Sequence, residues 1–191
     1  SRCLLDAISV VIQPREFVCI LGPSGSGKST LLSALSARVP MDTGRVLING
    51  KDLYANFDAM KQDIVVVPQK DVLHETLTVE QAISYTAELR LPADTSRDEI
   101  QVEVQEILSR VAMTSHRRTP IGKLSGGQIK RASLANELLA RPTLIFLDEV
   151  TSGLDEQTDR DMMGLFRSLA DDGKTVVCIT HSLANVEQYC H

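Results

Sequence analysis

Eight consecutive residues, Gly22-Pro23-Ser24-Gly25-Ser26-Gly27-Lys28-Ser29, satisfy the spacing G-x-x-x-x-G-K-[ST] at every fixed position. This spacing suits phosphate, because the glycines let the backbone curl until successive N–H groups converge on phosphate oxygens. Lys28 is then within reach of the terminal phosphates of a nucleoside triphosphate such as ATP, and the Ser29 hydroxyl suits Mg²⁺. Thr30 continues into a helix whose positive dipole end faces the same anion. A second concentration of chemistry closes the apolar run 143–147, where Asp148 and Glu149 follow one another. Asp148 at a strand tip would hold Mg²⁺ through its water shell, near Ser29. Glu149 would polarise a water attacking the γ-phosphate. Leu124-Ser125-Gly126-Gly127-Gln128 is a further small-residue nest for phosphate, running into a helical stretch at 129–140.

These groups need a scaffold that brings three distant segments together. Strand-like runs fall at 4–12, 17–21, 45–48, 64–67, 144–147 and 175–179. The last three are nearly unbroken Val, Ile or Leu, as expected of strands covered on both faces. Helical runs lie between them, including 29–38 after the glycine loop. Asp42-Thr43-Gly44 and Asn49-Gly50 are turn signals around a short strand. The region 78–112 reads as helical throughout, with Thr78 and Gln81 spaced as a capping box. Ile100, Val104, Ile107, Leu108 and Val111 recur at helical spacing, and Leu91-Pro92-Ala93-Asp94 breaks the two helices. The expected fold is α/β: a P-loop nucleoside-triphosphatase core with a mostly parallel central sheet and an N-terminal antiparallel β portion. An α-helical subdomain at about 78–139 is inserted between core segments 1–77 and 140–191 of one domain.

The bulk numbers fit that expectation. The chain has 191 residues, 43% hydrophobic and 24% charged, which is ordinary for a globular domain. Its net charge of −5 gives no reason to expect a nucleic-acid partner. No run approaches the ~18 apolar residues of a membrane span. Cys3, Cys19, Cys178 and Cys190 show no C-x-x-C pairing, so neither a disulfide framework nor a zinc site is expected, and Cys19 and Cys178 read as small core residues. Histidines 74, 116, 181 and 191 lack metal-ligand spacing.

A P-loop, then Leu-Ser-Gly-Gly-Gln, then an apolar strand ending in Asp148-Glu149 resembles the ATP-binding-cassette (ABC) family, whose motifs span nearly the whole chain in order. The resemblance implies that Gln69 is the Q-loop glutamine touching metal and attacking water. Asp155 would be the D-loop residue at a subunit interface, and His181 the residue contacting the γ-phosphate. It implies composite sites, in which Ser125, Gly126, Gly127 and Gln128 of one cassette close over ATP on the P-loop of a second cassette, a homodimer or heterodimer. Lys130-Arg131, Glu137-Leu138-Leu139, Thr151-Ser152-Gly153-Leu154-Asp155, Thr78-Val79-Glu80-Gln81 and Leu89-Arg90-Leu91-Pro92 resemble the G subfamily of half-transporters. That implies an ATPase powering transport, with an export bias, on the cytoplasmic face of a membrane beside a transmembrane domain on the same longer chain.

Two departures stand out: Val150 replaces the family's usual proline, and no aromatic residue precedes Phe17 to stack adenine. The short C-terminal part after His181 suggests a domain excised from a longer polypeptide. A soluble family member acting on DNA or ribosomes would carry a long insertion between Gln69 and Leu124, or a second cassette. A nucleotide switch without hydrolysis would lack Glu149, Gln69 or His181. A GTPase would carry an Asn-Lys-x-Asp motif, which is absent.

Overall fold

The computed structural model describes residues 4–70, 72–181 and 183–190, with the backbone alone at position 184. In chain order the elements are β1 (Phe17–Ile20), α1 (Lys28–Leu35), β2 (Leu47–Ile48), β3 (Lys51–Asp52), α2 (Phe57–Met60) and β4 (Ile64–Val67). Then follow α3 (Val79–Arg90), α4 (Arg97–Arg110), α5 (Gly126–Leu138), β5 (Leu144–Asp148), α6 (Glu156–Asp171), β6 (Thr175–Ile179) and α7 (Leu183–Tyr189).

Strands pair in the order β1-β6-β5-β4, all parallel, with Cys19 opposite Cys178 and Asp148 opposite Ile179. The unbroken apolar runs are explained by two covers. Side chains alternate across a strand, so Val66, Phe146, Val177 and Ile179 meet Leu32 of α1 on one face. Val65, Val67, Ile145, Leu147, Val176 and Cys178 join the larger cluster on the other face, together with Leu134 of α5 and Phe166 of α6. Phe17 is fully buried and meets the Phe166 ring edge-on at 6.1 Å, so it is core and no adenine platform.

The stretch 78–112 is helical as expected. Thr78 Oγ1 accepts from Gln81 N and Gln81 Oε1 from Thr78 N, closing the capping box. Ser96 and Glu99 close another at α4, and Ser125 and Gln128 a third at α5. Leu91 leaves α3 in an extended conformation, because the residue before a proline is pushed out of the helical region. Ile100, Val104, Ile107 and Leu108 are the buried face of α4.

Three expectations are corrected. Residues 4–12 form no strand; their backbone enters no ladder among the described residues, and Leu4, Ile8, Val10 and Val11 are exposed. Among the described residues the antiparallel sheet is therefore the β2–β3 hairpin, turned by Asn49 and Gly50, both at positive φ. The expected helix 29–38 ends at Leu35. Finally, Cys19 is bonded to Cys190, 171 residues away, with Cα atoms 6.3 Å apart. Spacing in sequence gives no hint of that proximity, which arises because α7 returns the chain beside β1. Cys178 is free and buried, and burial pushes its thiol well above the ordinary range, with the fields of Asp159 and Asp148 adding to it. The expectations for Cys3 and His191 lie outside the described residues.

Candidate functional site

The glycine loop leaves β1 and enters α1, with Gly27 capping the helix at φ 92°. A side chain there would be strained by the left-handed backbone and would meet Leu5 Cδ2 at 3.2 Å. Pro23, Ser24, Gly25 and Ser26 are exposed at the loop's crest, while Gly22 and Thr30 are half-buried. Lys28 is 7% exposed and donates from Nζ to the carbonyls of Gly22 and Pro23, both at 2.9 Å. The ammonium is thus held within the loop that would cradle phosphate.

Parallel pairing puts the C-terminal ends of β1, β4, β5 and β6 at one edge of the sheet, and the expected groups collect there. Ser29 Oγ donates to Asp148 Oδ1 at 3.0 Å, so the hydroxyl and the carboxylate are neighbours although 119 residues apart. Gln69, two residues beyond β4, donates from Nε2 to Glu149 Oε2 at 3.0 Å. His181, two residues beyond β6, brings Nε2 to 2.9 Å from Glu149 Oε1. Glu149 itself has φ 49°, a left-handed conformation uncommon for a side-chain-bearing residue. Its N–H donates to Ile179 O at 3.1 Å, which fixes the turn against β6. Val150 is fully buried beneath that turn. A carboxylate has about four acceptor positions, so the contacts of Glu149 with Gln69 and His181 leave it able to accept a proton from a water. Ser29, Asp148 and Gln69 offer a hydroxyl, a carboxylate and an amide oxygen, a donor set of hard oxygens that fits Mg²⁺.

The Ser125–Gln128 segment lies elsewhere. Ser125 Oγ accepts from Gln128 N at 3.4 Å and Ser125 N donates to Gln128 Oε1 at 2.9 Å. Ser125 and Gly126 are exposed, while Gly127 is buried where α5 crosses the Thr158 methyl of α6. Asp155 caps α6: Thr158 N donates to Oδ1 at 2.9 Å and Thr158 Oγ1 to Oδ2 at 2.6 Å. The Thr158 hydroxyl, followed by its backbone N–H, holds the Asp155 carboxyl below the usual carboxylate range. Among the described residues, no hydrogen bond joins Ser125, Gly126, Gly127, Gln128 or Asp155 to the glycine loop of the same chain.

Three groups near the site were given no role there by the sequence. His116 Nε2 is 2.7 Å from Gln128 Nε2, pinning the amide that closes the α5 capping box. Lys130, 8% exposed, donates from Nζ to the Gln69 carbonyl at 2.5 Å. Asn185 Nδ2 donates to Asp159 Oδ2 at 2.7 Å in a buried α6–α7 clasp, leaving Asp159 Oδ1 without a hydrogen-bond partner among the described residues. His116 was read only as lacking metal-ligand spacing and Lys130 only as part of the subfamily resemblance, so their contacts alone give them a place near the site.

Sheet, glycine loop and paired acids define a P-loop nucleoside-triphosphatase domain. A model of the ABC transporter family matches residues 5–152, and the chain belongs to that family as an ATP-hydrolysing, nucleotide-binding domain. It is 44% identical over 187 residues to the ABC transporter ATP-binding/permease protein Rv1747 of Mycobacterium tuberculosis, covering 98% of this chain and 22% of that protein. It is 41% identical over 189 residues to ABC transporter G family member 13 of Arabidopsis thaliana, covering 95% and 27%. The chain thus spans only about a quarter of the length of such relatives. In structure it is similar to CbiO1 of Clostridium perfringens, part of the ABC transporter complex CbiONQ, with a TM-score of 0.88 and 30% identity over 98% of this chain and 75% of that one. Among the described residues no helix is long and apolar enough to cross a membrane.

Proposed function

We propose that this domain binds and hydrolyses MgATP to drive substrate export by a G-type transporter, closing head to tail on a second cassette. The convergence of Gln69 and His181 on the two oxygens of Glu149, beside the Ser29–Asp148 pair, carries the reading. ATP takes Lys28 from the Gly22 and Pro23 carbonyls onto its terminal phosphates, while N–H groups of Gly25, Ser26, Gly27 and Lys28 close around the β-phosphate. Ser29 and Asp148, with Gln69, would hold Mg²⁺, which when bound neutralises charge on the phosphates. Glu149 orients the attacking water and takes its proton, and His181 steadies the γ-phosphate.

Ser125, Gly126, Gly127 and Gln128 face the nucleotide of the other cassette, with Asp155 at the same interface. Their separation from the chain's own glycine loop supports that division of labour. A second set of N–H donors there neutralises charge that the P-loop leaves uncovered. The helices between 78 and 139 act as a subdomain hinged at Gln69. A groove of about 1200 Å³, running from Phe57 and Ile64 to Leu89, Leu91 and Val102, receives the transmembrane portion. The relationship to an ATP-binding/permease protein supports a transmembrane domain on the same polypeptide, with this domain at the cytoplasmic face.

The test is ATP turnover against protein concentration, with Glu149→Gln alongside. A specific rate that rises with concentration, and its loss in Glu149→Gln together with an ATP-dependent dimer, is the expected result. Unchanged turnover in Glu149→Gln would overturn the catalytic assignment.

A further inference from the structure

Lys130 lies on α5, two residues after Gln128, and is almost wholly buried. The other buried positions of that helix are Gly127, Ala132, Ser133, Leu134, Ala135 and Leu138, all uncharged and small or apolar. Packing alone therefore does not call for an ammonium, which is costly to bury unless it is hydrogen-bonded. Its Nζ instead donates to the Gln69 carbonyl at 2.5 Å, while the Gln69 amide donates to Glu149 Oε2 at 3.0 Å. One rigid helix thus runs from Ser125–Gln128 to a charged group gripping the backbone of the residue that bears on the catalytic carboxylate. Arg131 anchors the same turn to α4 through the Val111 carbonyl at 3.1 Å.

We propose that Lys130 is a positioning residue for hydrolysis: by holding Gln69 at its carbonyl, it sets the Gln69 amide against Glu149 and ties the catalytic carboxylate to the position of α5. The Gln69 loop leaves β4 and is exposed at its tip, so its backbone needs an external hold to keep one geometry. A charged donor supplies a stronger hold than a neutral one. When the start of α5 shifts on meeting the opposite nucleotide, Lys130 carries Gln69 with it. Glu149 then acts only in a closed pair of cassettes. The proposal rests on the roles of Gln69 and Glu149 given above.

The experiment measures kcat and KM for ATP in the full-length protein reconstituted in lipid vesicles. The variants are Lys130→Met, Gln69→Ala, the two combined, and Lys130→Arg. Methionine keeps the volume and loses the donor. The expected result is a kcat lowered about ten- to a hundredfold in Lys130→Met, with KM within about twofold. In the Gln69→Ala background Lys130→Met should cost little more, because the amide that Lys130 positions is already gone. Lys130→Arg, which keeps a donor, should recover most of the rate. Losses that multiply in the double variant, or a raised KM with kcat unchanged, would overturn the proposal and leave Lys130 a packing residue. A silent Gln69→Ala would overturn the underlying site assignment, and this proposal with it. If Lys130→Met fails to fold, Lys130→Gln, which loses the charge and shortens the reach, takes its place alone and in the Gln69→Ala background and decides on the same criterion.

Discussion

Gly127→Ala is the substitution whose outcome the geometry defines most sharply. A Cβ at this position would overlap the Thr158 Cγ2 methyl on α6, with backbone on one side and a capped helix turn on the other. Overpacking of this kind costs about 1–3 kcal/mol. Opposing it, alanine is about 1 kcal/mol better than glycine inside a helix, and less in the first turn where Gly127 sits. The clash wins, with a net loss of roughly 0.5–2 kcal/mol. In a domain of this size each kcal/mol lowers Tm by about 2–4 °C, so the expected drop is roughly 1–8 °C. Thr158→Ser removes the offending methyl but keeps the hydroxyl that donates to Asp155 Oδ2 at 2.6 Å. The double variant Gly127→Ala/Thr158→Ser should therefore melt within about 1–2 °C of Thr158→Ser alone. Gly126→Ala is the control, since a Cβ there meets Leu154 Cδ2 at an ordinary 3.6 Å. Thermal unfolding followed by circular dichroism reads all four. A Gly127→Ala chain that melts at or above the parent, or a loss that Thr158→Ser leaves unrelieved, would refute the argument.

Asn185→Ala removes the donor to Asp159 Oδ2 and leaves a buried carboxylate without that bond, at a cost of about 2–4 kcal/mol. Because α7 is short and packs on α6, hydrogen exchange should show its amides losing protection before those of the sheet; unchanged protection in α7 would refute the clasp. Asp155 sets part of the acid limb of stability. Its carboxyl is held below the usual carboxylate range in the folded chain, so its contribution is present above that range and lost as pH falls through the lower, folded value. Asp155→Asn, which can still cap α6, should flatten the stability curve in that window while leaving neutral pH little changed; an acid limb identical to the parent's would contradict this.

Much of the core was legible because it rests on local rules. The apolar runs at 64–67 and 175–179 coincide with β4 and β6, and Thr78–Gln81 closes the capping box it spells. These patterns depend on side-chain period and on groups within a few residues of each other, which a sequence displays directly. Residues 4–12 show where the same rules mislead. Alternating apolar residues describe a strand only if a neighbouring strand accepts the ladder, and here the apolar side chains stand exposed instead. The pairing of Cys19 with Cys190 was illegible for a related reason, since its determinant is the path of α7 and no local pattern encodes that.

Residue types and spacing were enough to single out Ser29, Asp148 and Glu149, because phosphate and Mg²⁺ chemistry demands those groups in a glycine loop and at a strand end. Gln69 and His181 were singled out by the family resemblance. What the sequence left open is how they meet. Parallel pairing of β4, β5 and β6 aligns their C-terminal ends, so Gln69 and His181 reach opposite oxygens of Glu149 from loops 112 residues apart. The left-handed turn at Glu149 and the buried Lys130 beneath Gln69 are also products of packing. Residue types determined which reaction the chain is equipped for. Only the tertiary structure decided which lone pairs are engaged and which backbone is held, because hydrogen bonds across the sheet edge depend on distances that no spacing in the chain specifies.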